Sequence, residues 1–168
     1  MRDETMKRII TPLLLTLSIT CAAESLTGRE APAFSLTSPN GGQVNLSQYK
    51  GKVVYLDFWA SWCGPCRKSF PWMNAIQNKY ASQGLQVIGV NLDENNGDAA
   101  KFLKEMPAQF AIAFDGKAAT PALYGVKGMP SSFLIGRDGK VILEHSGFND
   151  ADRAELEKNI RAAVEGAK

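Results

Sequence analysis

Two thiols three positions apart are the residues of this chain best placed to do chemistry. Cys63 and Cys66 enclose Gly64 and Pro65 in the run Trp59-Ala60-Ser61-Trp62-Cys63-Gly64-Pro65-Cys66. Helical periodicity starts at Pro65 and continues to Ser82, so Cys63 is expected at the very end of a helix, exposed, with Cys66 one turn inside. The unsatisfied N–H groups and the macrodipole at a helix N-terminus favour an anion, which lowers the pKa of a thiol placed there. This spacing lets the two sulfurs bond, and Pro65 is tolerated because the first helical turn has no use for its missing N–H. Such a pair can pass between dithiol and disulfide with little backbone movement. Zinc is the other reading of a CxxC pair, but a structural zinc needs four ligands. Beyond Cys21 in the N-terminal segment the chain offers only these two cysteines and one histidine, His145, so no metal is expected. His145 itself falls in a strand pattern and reads as half-buried.

A third chemical residue lies just upstream. Lys52 to Ala60 reads KVVYLDFWA, a β-branched and aromatic run that fits a buried central strand, yet it contains Asp57. A buried lone carboxylate is costly and is normally protonated, so its presence marks Asp57 as a functional acid. Trp59 reads as core, whereas Trp62, beside the thiol, is expected to shape a substrate surface.

The elements that must position these residues follow from pattern. Residues 24 to 33 carry no period and read as an extended lead-in. Phe34 to Leu36 and Gln43 to Leu46 alternate around Ser38-Pro39-Asn40-Gly41-Gly42, a hairpin signal. Leu85 to Leu92 is a second buried strand. Asp98 opens a short helix through Glu105, Phe110 to Phe114 is a third strand, and Ala118 to Tyr124 a helical turn. Ser131 to Ile135 and Val141 to His145 form two strands joined through Asp138-Gly139, a strong hairpin turn. The last helix is capped by Asn149 or Asp150 and carries Leu156, Ile160, Ala163 and Val164 at helical spacing. A βαβ unit first and a hairpin plus helix last predict an α/β fold, a central mixed sheet flanked by helices, in one domain.

Composition narrows the class further. Of 168 residues 45% are apolar and 21% charged, which excludes disorder and a disulfide scaffold. The net charge of +2 is spread along the chain and gives no footprint for nucleic acid. Ile9 to Ala23 is an apolar run preceded by Lys7 and Arg8, is interrupted by Pro12 and is too short to span a bilayer; it reads as a secretory signal peptide over residues 1–23, with Met6 as an alternative start. The domain then covers residues 24–168. Cleavage after Ala23 and lipidation at Cys21 are the two routes open, giving a soluble periplasmic or exported protein or a lipid-anchored one. Removing this segment leaves a single close cysteine pair, which an exported protein is using for chemistry and not as scaffold.

With these residues in hand, the chain resembles the thioredoxin superfamily. VVYLDFWASWCGPCR is similar to the family's active-site strand and turn. Asp57 lies six positions before Cys63, where thioredoxins keep a buried acid, and Pro71 eight positions after it, where their active-site helix is kinked. Gly128-Met129-Pro130-Ser131 is similar to the family's cis-proline loop. The leader, the N-terminal hairpin and the extra segment between Asn91 and Pro130 look like the exported TlpA/ResA-like branch, whose members reduce disulfides outside the cytoplasm, some in cytochrome c assembly. One departure stands: the lysine that neighbours the buried acid in thioredoxins aligns with Gly89.

The resemblance implies thiol–disulfide exchange with catalytic Cys63, Cys66 and Asp57. It also implies substrate contacts at Trp62, Gly64, Pro65, Met129 and Pro130, with Pro130 in cis. No cofactor is implied beyond the Cys63–Cys66 disulfide. Expected partners are a disulfide-containing protein substrate and a membrane thiol-electron donor, with the chain a monomer. Peroxiredoxins share the fold and the N-terminal hairpin, so a thiol peroxidase is the competing reading, but their Pro-x-x-x-Thr/Ser-x-x-Cys loop is missing here. A non-catalytic chaperone or binding module on the same fold is the third, and it has no need of both cysteines.

Overall fold

The structure is a computed structural model that describes residues 25–166, so the expected leader lies outside the described residues. The strands are β1 (Ser35–Thr37), β2 (Gln43–Asn45), β3 (Val53–Trp59), β4 (Leu85–Asn91), β5 (Ala111–Phe114), β6 (Ser131–Ile135) and β7 (Val141–Ser146). The helices are α1 (Gly64–Tyr80), α2 (Asn96–Glu105), α3 (Ala119–Leu123) and α4 (Asp152–Glu165). They build one mixed sheet in the order β2-β1-β5-β4-β3-β6-β7, with β3, β4 and β5 parallel and the remaining pairings antiparallel. This is the expected α/β sheet flanked by helices, with the hairpin β1–β2 added at one edge.

Every residue of β3 is buried, because β4 and β6 flank it and both of its faces are covered. Successive side chains alternate between two cores. Tyr55 and Trp59 join the layer built from α1, α2 and α4, whose buried residues include Cys66, Phe70, Met73, Phe102 and Ile160. Val54, Leu56 and Phe58 join the opposite layer, closed by Tyr124 after α3, the Leu46–Tyr49 turn and the lead-in residues Leu26, Ala31 and Phe34. Thus three helices cover one face, and mostly loops and the hairpin region cover the other.

Three local expectations are corrected. Helix α2 opens at Asn96 and not at Asp98, because the Asn95 carboxamide oxygen accepts from Gly97 N at 2.8 Å; Asp98 sits in the first turn, where its charge suits the helix dipole. Helix α4 opens at Asp152, and neither Asn149 nor Asp150 caps it. The Asn149 side chain instead accepts from Ala151 N, and the Asp152 carboxylate accepts from Asn149 N, both at 2.8 Å, closing a turn before the helix. The lead-in is not merely extended. It lies along β7 through Gly28 N to Val141 O (2.8 Å) and Val141 N to Arg29 O (2.9 Å), and Glu144 Oε1 accepts from Leu26 N (2.6 Å) and Thr27 N (2.9 Å).

Arg137, after β6, ties three distant segments together. It donates to the carbonyls of Gly51 (2.9 Å), Gln83 (2.8 Å) and Val164 (3.2 Å), joining the approach to β3, the end of the α1 region and the end of α4. Gly84 is required beneath it: φ is +93° there, and a Cβ would lie 2.7 Å from Arg137 Nη1. Arg137→Ala is expected to lower stability by about 2–3 kcal/mol, the scale of hydrogen bonds to a charged group. Arg137→Lys should recover only part, since an ammonium lacks the planar fork. A urea midpoint unchanged in Arg137→Ala would show that the three carbonyls do not depend on it.

Candidate active site

The last residue of β3 leads into a turn of four residues, Ala60 to Cys63, before α1 begins at Gly64, so the thiols sit at a strand-to-helix junction. Cys63 is the N-cap of α1 in extended conformation (φ −82°, ψ 107°), with Pro65 in the first turn as the sequence predicts. Its N–H donates to Ala60 O at 3.1 Å. Cys63 and Cys66 are joined by a disulfide, Cα atoms 5.3 Å apart, and Cys66 N donates to Cys63 Sγ at 3.2 Å. A sulfur therefore occupies the place where a capping oxygen normally takes an orphan amide, which is the position that favours a thiolate when the bond opens.

Cys63 is expected to be exposed, but it is only 5% exposed, and Cys66 is fully buried. The bond to Cys66 and the hydrogen bond from its amide turn the Cys63 sulfur inward, against the cluster that also contains Trp59 and Phe70. Exposure falls to the neighbours: Gly64 and Pro65 are exposed, and the Trp62 ring is 73% exposed. Met129 is half-buried and packs on the same cluster, and the Met129–Pro130 bond is cis, with Pro130 buried. Cys63, Cys66 and Met129 thus belong to one cluster at the start of α1, with Trp62, Gly64 and Pro65 exposed beside it.

Sequence reasoning missed the anchor of the turn. Asp93 Oδ2 accepts from Ser61 N (2.9 Å) and from Asn91 Nδ2 (2.7 Å), and Oδ1 accepts from Ser61 Oγ (2.9 Å). One buried carboxylate therefore holds the residue that precedes Trp62 and Cys63. The signal was present: polar residues at the C-terminal end of a parallel strand lie beside the neighbouring strand's loop, where sites form in α/β sheets. Asn91 is in register with Trp59.

Asp57 faces the same layer as Tyr55, Trp59 and Cys66 and is 2% exposed. Its Oδ2 is buried without a hydrogen-bond partner, and burial holds its carboxyl well above the usual carboxylate range. Its in-register neighbours are Gly89 of β4 and Ser132 of β6. The absence of a lysine at Gly89 has a packing cause. A Cβ there would lie 3.0 Å from Trp59 Nε1, 3.1 Å from the Phe110 ring and 3.2 Å from Ile112 Cδ1, so the volume a longer side chain needs is filled. The carboxyl has an apolar neighbour where thioredoxins place a cation. Among the described residues no group of three or more His, Cys, Asp or Glu side chains converges as a metal site requires.

Comparison with known proteins agrees with this geometry. The Redoxin family model matches residues 26–160. The chain is 39% identical over 128 residues to the thiol-disulfide oxidoreductase ResA of Bacillus thuringiensis subsp. konkukian, covering 76% of this chain and 74% of the relative. It is 37% identical over 115 residues to ResA of Bacillus subtilis, covering 68% and 64%. A crystal structure from Chlorobium tepidum, described as a thiol:disulfide interchange protein DsbE, superposes with a TM-score of 0.82 at 59% identity, covering 84% of this chain and 99% of that one. A CxxC disulfide at the N-terminus of α1 and these similarities together place the chain in the Redoxin family, in the TlpA/ResA-like branch of the thioredoxin superfamily, as a thiol-disulfide oxidoreductase.

Proposed function

We propose that this oxidoreductase reduces protein disulfides outside the cytoplasm and uses no cofactor beyond the Cys63–Cys66 pair. The observation that carries the reading is the Cys63–Cys66 bond at the N-terminus of α1, with the Cys66 amide on Cys63 Sγ. In the reduced form the Cys63 thiolate attacks a substrate disulfide and a mixed disulfide forms. Cys66 then attacks Cys63 Sγ, the bond to the substrate sulfur breaks, and the second substrate thiolate leaves. Asp57 takes the Cys66 proton as a general base whose carboxyl burial holds well above the usual carboxylate range. Trp62, Gly64 and Pro65 offer the exposed contact surface, and the Met129 backbone, preceding Pro130 and β6, pairs with an extended substrate segment as an added strand.

The reducing direction is supported by Gly64-Pro65, the dipeptide of thioredoxin itself, and not by that of strongly oxidising relatives. Export is supported by the leader-like run before residue 24. A reductant in an oxidising compartment must be recharged, so its partner is a membrane thiol-electron donor, and its substrates are exported thiol proteins such as apocytochromes or metal-site assembly proteins. Among the described residues no helix is long and apolar enough to cross a membrane.

The protein should reduce insulin disulfides when supplied with a chemical electron source. Cys63→Ser should abolish this, and Cys66→Ser should accumulate a mixed disulfide through Cys63 whose mass identifies the substrate. Peroxide turnover outpacing disulfide reduction would overturn the reductase reading. In cells, the exported chain should begin near Glu24, and mass spectrometry that finds an acyl group on Cys21 would replace a soluble product with an anchored one.

Asp57→Asn keeps the shape of the side chain and removes the base, so release of substrate should slow by about 10²–10⁴-fold while the first attack by Cys63 is little changed. Stability should respond with the opposite sign. A carboxyl whose folded pKa is raised binds its proton more tightly folded than unfolded, so wild-type stability falls as pH rises from the ordinary carboxylate range to the raised value, and is level above it. Oxidised Asp57→Asn should therefore gain on wild type across that window, by about 1–3 kcal/mol. Equal stability at every pH, with both rates unchanged, would make Asp57 a structural residue.

A further inference from the structure

The turn from Ala60 to Cys63 is fastened to the neighbouring loop at Ser61. Trp62 is 73% exposed, and the Cys63 N–H donates back to Ala60 O within the turn at 3.1 Å. Ser61 instead reaches out of the turn. Its N–H donates to Asp93 Oδ2 and its hydroxyl to Asp93 Oδ1, both at 2.9 Å, so one carboxylate grips the backbone and the side chain of the same residue. A carboxylate offers the two acceptor oxygens that such a two-point grip needs.

Asp93 is itself locked in place. Asn91 Nδ2 donates to Asp93 Oδ2 at 2.7 Å, and Asp93 N donates to Asn91 Oδ1 at 3.2 Å. Asn91, the last residue of β4, is fully buried, and its carbonyl accepts from Asp115 N at 2.8 Å. The Asp115 carboxylate in turn accepts from Ala119 N (3.3 Å) and Thr120 N (2.6 Å) at the start of α3. Gly116 lets the loop after β5 close on the loop after β4, since a Cβ there would lie 3.2 Å from Asp93 O and 3.3 Å from Glu94 O. The loops after β3, β4 and β5 are thereby interlocked through Asp93. That side chain is 5% exposed, and its three hydrogen-bond donors are all neutral groups. Burying an acid without a cation is costly, and what it provides here is the hold on Ser61.

We propose that Asp93 is a positioning residue for release of the substrate: through Ser61 it keeps Cys63 within reach of Cys66 while a partner protein is attached. This role rests on the exchange reaction proposed above. In the mixed disulfide Cys63 Sγ is bonded to a substrate sulfur and no longer to Cys66, so the attached protein pulls on the turn. Release requires an electron pair of Cys66 Sγ to form the Cys63–Cys66 bond as the Cys63–substrate bond breaks. The substrate sulfur leaves as a thiolate, the Cys66 proton goes to Asp57, and the cysteine pair is oxidised by two electrons as the substrate disulfide is reduced by two. The rate of this intramolecular step follows the effective concentration of one sulfur at the other, which a turn fixed at Ser61 keeps high. The first attack is bimolecular and uses Cys63 alone, so it draws little on the anchor. The same effective concentration sets the balance between dithiol and disulfide, so the anchor also makes the reduction potential of the pair more negative.

The test measures two quantities in wild type, Asp93→Ala, Asp93→Asn and Ser61→Ala: the reduction potential by equilibration with glutathione, and both exchange steps with insulin by rapid mixing. Asp93→Ala should leave the Cys63 attack little changed and slow release of substrate about tenfold or more. Its potential should become less negative by about 30 mV for each tenfold loss of effective concentration. Asp93→Asn should recover most of both, because the carboxamide oxygen accepts from Ser61 N and Asn91 Nδ2 while its amide donates to the Ser61 hydroxyl. Ser61→Ala, which removes one of the two bonds, should shift the potential less and in the same direction. A merely structural Asp93 lowers the stability of the oxidised and reduced forms alike and leaves the potential where it was. Wild-type potential and release in Asp93→Ala would therefore overturn the role. Asp93→Asn as impaired as Asp93→Ala would also overturn it, by placing the effect in the charge and not in the anchor. Should Asp93→Ala fail to fold, Ser61→Ala decides, and a wild-type potential there would overturn the role. Wild type that reduces no insulin would overturn the reductase reading instead, and the potentials alone would then decide the anchor.

Discussion

Complete burial of β3 is the constraint from which the site follows. A strand paired on both sides and covered on both faces has its backbone groups committed to β4 and β6, and its side chains packed in two separate cores. Its C-terminal end is consequently one of the most firmly held points in the sheet, and the site is built there. Trp59, the last residue of β3, meets Phe70 of α1 with ring centroids at 4.8 Å and Phe102 of α2 at 4.9 Å. Aromatic pairs of this kind contribute about 0.5–1.5 kcal/mol each beyond the area they bury. They fix where α1 starts relative to the strand, and hence where Cys63 caps it.

The same burial gives the acid its character. Asp57 is only 2% exposed, and the packing of Trp59, Phe110 and Ile112 over Gly89 leaves no room for a compensating lysine there. A carboxyl in that situation is held well above the usual carboxylate range, at a cost to stability that an amide of the same shape would not carry. Stability and proton chemistry are therefore opposed at this residue. The fold tolerates the conflict because the surrounding sheet and the two aromatic helices overdetermine the strand's position.

The turn that carries the thiols is also held by hydrogen bonds of its own. Asp93 holds the backbone and hydroxyl of Ser61, Leu92 N donates to Trp59 O at 2.9 Å, and the Cys66 amide reaches Cys63 Sγ. Each of these interactions comes from an element other than β3 or from the first turn of α1, so the turn is held at both of its ends. Trp62, between the two anchors, is left free to face solvent, which suits a residue that meets a partner protein.

The sequence by itself determined the strand, turn and helix around Cys63 and Cys66, because each is a local pattern: a β-branched and aromatic run, a proline in the first helical turn, and a spacing of three. It also determined that Asp57 is anomalous, since an acid inside such a run contradicts its own surroundings, and that Asp138-Gly139 turns a hairpin, with Gly139 at φ +86°. Only the tertiary structure decided that Cys63 is turned inward, that Asp93 anchors Ser61, that Arg137 joins three segments and that Glu144 holds the lead-in. The alignment of Asp57 with Ser132 is of the same kind. Strand alternation tells which face a side chain takes but not which residue stands opposite it. Pairing register is a relation between positions 57 and 132, set by how two separate strands dock, and no local pattern in either of them contains it.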